Sequence, residues 1–134
     1  MTRFLIDTSI WIDLYEDRKG YIGEPLGDYA LQLVLNIKLQ GDSIVLTDLI
    51  IKELELHYTQ EKIHAMLKPF EPFEMIKSTH RKEANRIAKQ RNVPKGDALL
   101  SITARENNLI LVSRDKHFSK LTDITHYYKP EELL

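Results

Sequence analysis

Pro94 to Phe118, PKGDALLSITARENNLILVSRDKHF, constrains the fold more than any other stretch. Ala98, Leu99, Ile102 and Thr103 recur at helical spacing, and Asn107-Asn108 marks the stop. Leu109-Ile110-Leu111-Val112 is a short apolar run of the kind that fills the middle of a parallel sheet. The stretch therefore predicts helix, tight turn and buried strand. Asp97 opens the helix and Asp115 follows the strand. In such a unit the carboxyl end of a strand and the amino end of a nearby helix face one crevice, so both carboxylates are expected over one pocket.

The rest of the chain repeats the alternation. Phe4-Leu5-Ile6 predicts a strand before Asp7-Thr8-Ser9, and Ile10, Trp11 and Leu14 predict a helical turn or two. Asp17 to Gly27 is polar and glycine-bearing, a loop. Asp28 to Gln40 is apolar nearly all round and ends at Gly41, a helix that is well buried or part of an interface. Ser43 to Leu46 predicts a second strand, with Thr47 capping one helix to about Leu67. Phe73 to Lys77 predicts a short strand. A helix then runs from Ser78 or Thr79 to Arg91, with Glu83 placed for a capping box. Asp115 to Leu121 is expected as a short helix, Ile124 to Tyr128 as a last strand, and Lys129 onward as a tail.

Strands alternating with helices predict an α/β domain, a three-layer α/β/α sandwich on a mainly parallel sheet. With 134 residues the chain fits one domain over residues 1–134. A net charge of −1 supplies no overall field for a polyanion, so any nucleic-acid contact must come from a local basic patch. The absence of cysteine excludes a disulfide framework, thiolate metal sites and a cysteine nucleophile. MTRFLIDTS lacks a signal-peptide core and no run reaches bilayer-spanning length; a soluble, cytoplasmic protein without membrane contact is the expectation.

Asp7 and Asp115 each follow a strand, which places both at the functional edge of a parallel sheet. The helix behind Thr47 leaves from that edge, and Glu53 or Glu55 could lean back over it. Each acid has a plainer role open to it: Asp7, Asp97 and Asp115 as helix caps, Glu53 as a solvated helix residue. Independent caps, however, do not require all three aspartates to share one edge. Clustered carboxylates protonate unless a cation lies between them, and oxygen donors suit a hard ion such as Mg2+. The five histidines show no ligand spacing beside the acids. An ion held by an incomplete shell activates water and stabilises a leaving oxygen, so phosphodiester hydrolysis is the expected chemistry. A phosphotransfer receiver would need an acidic pair near the first strand, where Met1-Thr2-Arg3 stands. A haloacid-dehalogenase phosphatase would need an aspartate at Ser9.

FLIDTSIWID, TDLIIKEL and GDALLSITARENNLILVSRDKHF, with the closing KPEELL, resemble the PIN-domain nucleases, most closely VapC-type toxins and their stand-alone prokaryotic relatives. GDAL with LVSRDKHF is the most specific part. The resemblance implies four acids holding Mg2+ or Mn2+ to cut single-stranded RNA: Asp7, Glu53, Asp97 and Asp115. A helical wheel does not separate Glu53 from Glu55; the resemblance selects Glu53, in Ile51-Lys52-Glu53-Leu54. It further implies a homodimer and, in a toxin–antitoxin pair, a blocking antitoxin protein. The alternative is a non-catalytic PIN-like domain that binds RNA or protein.

Thr8, Ser9 and Ser113 stand beside the acids as hydroxyls able to orient a carboxylate, a water or a phosphate, or simply to cap turns. Between Lys77 and Lys95 the basic residues include Arg86, Lys89, Arg91 and Lys95, against a single Glu83. This face ends at Asp97 and could guide an RNA strand. Arg114 and Lys116 flank Asp115 as further phosphate contacts. Trp11 and Tyr127-Tyr128 are expected in the core or an interface.

Overall fold

A computed structural model describes residues 1–134. Five short strands form one sheet: β1 (Arg3–Ile6), β2 (Ser43–Thr47), β3 (Glu74–Ile76), β4 (Ile110–Val112) and β5 (Tyr127–Tyr128). Every pairing is parallel, and the strand order is β3-β2-β1-β4-β5. β1 is central. Leu5 lies opposite Val45 on one side and Leu111 on the other, and all three are inaccessible to solvent. A strand buried on both faces must be apolar throughout, which is why these runs read as continuous hydrophobic stretches rather than alternating ones.

The connections are the helices α1 (Thr8–Glu16), α2 (Leu26–Leu39), α3 (Asp48–Glu55), α4 (Gln60–Leu67), α5 (Arg81–Arg91) and α6 (Lys95–Asn107). α1 packs on α2 and α5 on α6, giving the expected three-layer α/β/α build. Trp11 of α1 is fully buried, with Phe73 edge-on at 5.9 Å and Phe70 at 6.1 Å. α2 stops at Gly41, whose φ of 73° suits a residue without Cβ; Asp42 N–H then donates back to Ile37 O at 3.0 Å. Asn92 and Asn108 end α5 and α6 in the same left-handed conformation. No helix is long and apolar enough to cross a membrane.

Several elements differ from the sequence expectation. The single helix from Thr47 to Leu67 is two. Thr47 does cap α3, but the chain leaves the helix after Glu55, and Thr59 Oγ1 caps α4 by accepting from Lys62 N at 3.3 Å. α5 begins only at Arg81, after His80 with φ 64°, and no capping box forms. The Ser78 N–H is already committed to Asp48 Oδ1 at 2.8 Å, and Glu83 pairs with Arg105 of α6 at 3.1 Å. Asp115 caps a 3-10 turn over Lys116–Leu121 rather than an α-helix. The last strand shrinks to two residues, and the expected tail folds as a 3-10 turn, Pro130–Leu133, against α2.

Candidate active site

Strand order reverses between β1 and β4, so the connections leaving their carboxyl ends diverge to opposite sides and open a crevice. Asp7 follows β1 directly. Its N–H donates to Val112 O at 2.9 Å, which ties it to the end of β4. Oδ1 accepts from the Thr8 N–H at 2.8 Å as the cap of α1. Oδ2 accepts from Ser113 Oγ at 2.7 Å and from Ser9 Oγ at 3.1 Å. Capping and clustering are therefore combined in one residue.

Ser113, wholly buried, joins two acids. Its hydroxyl donates to Asp7 while accepting from the Asp115 N–H at 3.0 Å. Glu53, on the second turn of α3, reaches the same crevice, where Thr8 Oγ1 donates to its Oε1 at 3.2 Å. Glu55 instead lines a separate groove with Ile51, Ile63 and Leu67. Asp97, third residue of α6, is buried, and its Oδ2 is closed to solvent without a hydrogen-bond partner. All four predicted acids thus meet at one edge.

The histidine expectation fails at one position. His117 Nδ1 lies 2.8 Å from Asp115 Oδ1 and 3.4 Å from Asp97 Oδ2. One donor atom each from Asp97, Asp115 and His117 falls within 4.8 Å of the others. The cause is local: Asp115 Oδ1 accepts the His117 N–H at 2.9 Å, and this cap brings the ring two residues on back beside the carboxylate. The Asp-x-His spacing in SRDKHF was the signal that could have found it. Asp7 joins this group through Ser113, and Glu53 through Thr8.

Electrostatics follow from burial and crowding. Burial raises the Asp7 pKa, opposed by the hydroxyls of Ser113 and Ser9 and the Thr8 N–H. Burial, then the charge of Asp7, raises that of Glu53. Asp97 is pushed up to about 8, first by burial and then by the charge of Asp115, with Asp7 and Glu53 adding. A buried acid that keeps its proton well above the usual carboxylate range, with an unpartnered oxygen facing two further donors, fits a divalent cation. Oxygen atoms dominate the donor set, as a hard ion requires, and one imidazole extends it toward Mn2+.

Two of the predicted cations are held in ion pairs within the chain. Arg91 is gripped by Asp123 through contacts of 2.5 and 2.9 Å and donates to Lys120 O. Arg114 forms a fork with Glu131 at 2.6 and 2.9 Å and lies 3.7 Å from buried Asp13. Both serve the fold. Arg86, Lys89, Lys95 and Lys116 remain exposed and outside these pairs.

The fold and the crevice together define a parallel α/β protein with an acidic centre at its switch point. The PIN domain family model matches residues 4–124, and the chain belongs to that family. PIN domains are generally nucleases that use divalent metals. Among solved structures, VapBC2 from Rickettsia felis bound to a promoter DNA fragment is similar, with TM-score 0.63 at 16% identity over 96% of this chain and 97% of that one. FitAcB from Neisseria gonorrhoeae gives 0.63 at 15% over 96% and 98%. A toxin–antitoxin complex from Klebsiella pneumoniae gives 0.54 at 22% over 87% and 90%. At these identities the likeness is one of fold. No match was found among curated proteins.

Proposed function

We propose that this protein is a Mg2+- or Mn2+-dependent endoribonuclease that hydrolyses phosphodiester bonds of single-stranded RNA. The observation that carries this reading is the convergence of Asp7, Glu53, Asp97 and Asp115 on one crevice, with Asp97 Oδ2 buried and without a partner. Asp97, Asp115 and Asp7 would hold the ion, with His117 alongside and Glu53 positioned to accept a proton from the attacking water. Such an ion, when bound, would supply charge neutralisation at the scissile phosphate and a more acidic water. Asp97 would have to give up its proton to ligate a cation, so loading is expected to release protons. Ser113 and Thr8 orient the carboxylates of Asp7 and Glu53. Exposed Lys95, Lys116, Arg86 and Lys89 offer contacts to the RNA backbone.

The reading extends to partners. The complex from Klebsiella pneumoniae is a toxin–antitoxin pair, which supports a toxin role for this chain and an antitoxin protein as its inhibitor. Leu31, Leu35 and Leu39 form an exposed stripe along α2, and we assign it to a homodimer contact. Cleavage of labelled RNA and DNA with Mg2+, Mn2+ or EDTA, against Asp7→Asn and Asp97→Asn, tests the activity. Wild type should cut RNA with metal while both variants lose at least about a hundredfold. Equal cutting by all three proteins, or none with either metal, ends the nuclease reading.

A further inference from the structure

Beside the acidic crevice lies a separate depression of about 180 Å³ between α3, α5 and α6. Pockets for drug-sized ligands begin near 300 Å³, so this one has room for a single small group. Its walls are apolar: Leu49 from α3, Ala84 from α5 and Leu99 from α6. Its rim is polar. Asn85 and Lys95 are exposed there, and Arg81 is pinned by Asp48 at 3.0 Å. Asp48 also accepts the Ser78 N–H, so Arg81 is a fixed part of the rim while Lys95 carries a charge outside any ion pair.

Position ties this slot to the acids. A Cβ built on Gly96 would lie 3.7 Å from Leu49 Cδ2 and 3.9 Å from Glu53 Oε2, so one glycine separates the slot from a carboxylate of the crevice. The next residue is Asp97. Leu49 precedes Glu53 on α3 by one turn. The slot therefore borders the place where a phosphate held by the acids would lie. Apolar walls accept the face of a base, the Asn85 amide offers both a donor and an acceptor to its edge, and the Lys95 ammonium complements a phosphate.

We propose that the slot takes the base of one unpaired nucleotide adjoining the scissile phosphate, with Asn85 reading the base edge and Lys95 holding the backbone. The proposal rests on the ribonuclease reading for its substrate, but its binding test does not require cleavage. Amide shifts of the metal-free protein are followed by NMR on titration with the four ribonucleoside 5′-monophosphates, with ribose 5-phosphate as the base-less control. Shifts are expected at Leu49, Asn85 and Leu99 with the nucleotides and not with the control, whose phosphate reaches only Lys95 and its neighbour Gly96. Asn85→Ala should remove about tenfold discrimination between bases, the scale of a bidentate contact, while Lys95→Ala weakens all four alike. Both side chains are exposed, so the variants are expected to fold. Nucleotide shifts that match the control, or that map elsewhere, overturn the slot.

Cleavage of RNAs carrying one abasic residue at successive positions is the second arm. Loss at a single position beside the cut supports the slot. Uniform tolerance overturns it. A protein that binds bases here but cuts no RNA keeps the slot and loses the ribonuclease reading; one that cuts RNA without these shifts does the reverse.

Discussion

Asp97 carries a conflict that defines the site: it belongs to the first turn of a helix, where an ionised acid is favoured, yet burial and three neighbouring acids hold its proton up to about pH 8. Its folded pKa lies above the unfolded value of 3.8, so its contribution to stability is complete below about pH 4 and is lost as pH rises through about 8. Melting in EDTA should therefore show wild type losing Tm across that window more steeply than Asp97→Asn. Mn2+ should restore the wild type at pH 8 and leave the variant unchanged. Parallel slopes would remove Asp97 from the role given to it. Ser113 makes a separate prediction, because one hydroxyl serves both Asp7 and Asp115. Ser113→Ala should weaken Mn2+ binding about tenfold by calorimetry, as loss of an orienting partner does, and cost about 1–2 kcal/mol of stability.

Among the elements, the divided helix α3–α4 and the closing 3-10 turn matter most. Thr59 alone caps α4 with its side chain, so Thr59→Ala should cost about 1 kcal/mol in urea unfolding and leave metal binding unchanged. The closing turn acts nearer the site. Glu131 holds Arg114, and Arg114 stands between Ser113 and Asp115 in the loop that presents an acid. Arg114→Ala leaves buried Asp13, already raised in pKa by burial, without its nearest cation, so it should destabilise by about 2 kcal/mol. Arg114→Lys should recover only part, because the fork with Glu131 needs a guanidinium. Unfolding in denaturant distinguishes the two.

For the whole molecule, the sheet is the frame: β1 positions Asp7 and β4 leads to Asp115, so core damage should reach the site. Leu111→Ala, at a wholly buried position in β4, should cost about 2–5 kcal/mol. On the outer surface, Leu35 is 45% exposed at the middle of the α2 stripe. Leu35→Asp should leave the melting of the monomer unchanged and abolish any dimer in light scattering; a dimer that survives it uses another face.

Hydrophobic pattern and helix punctuation are local properties, and most of what depends on them was legible in the residues themselves. The alternation of strands and helices, the stop at Asn108, the cap at Thr47 and the strand-end positions of Asp7 and Asp115 all read directly from neighbours in the chain. The break at Leu56 to Thr59 leaves only a weak local mark: Ile63 falls off the stripe of Leu54 and Tyr58, but Leu56-His57-Tyr58-Thr59 holds no glycine or proline to punctuate the chain. Side-chain partnership is settled instead by distance in space. Ser113 bonds an aspartate 106 positions away, and Arg91 and Arg114 find carboxylates brought to them by the fold. Only the folded chain could show that two expected RNA contacts are ion-paired, that Glu53 and Glu55 face different grooves, and that His117 lies beside Asp97 as well as Asp115, because charges interact through space and not along the backbone.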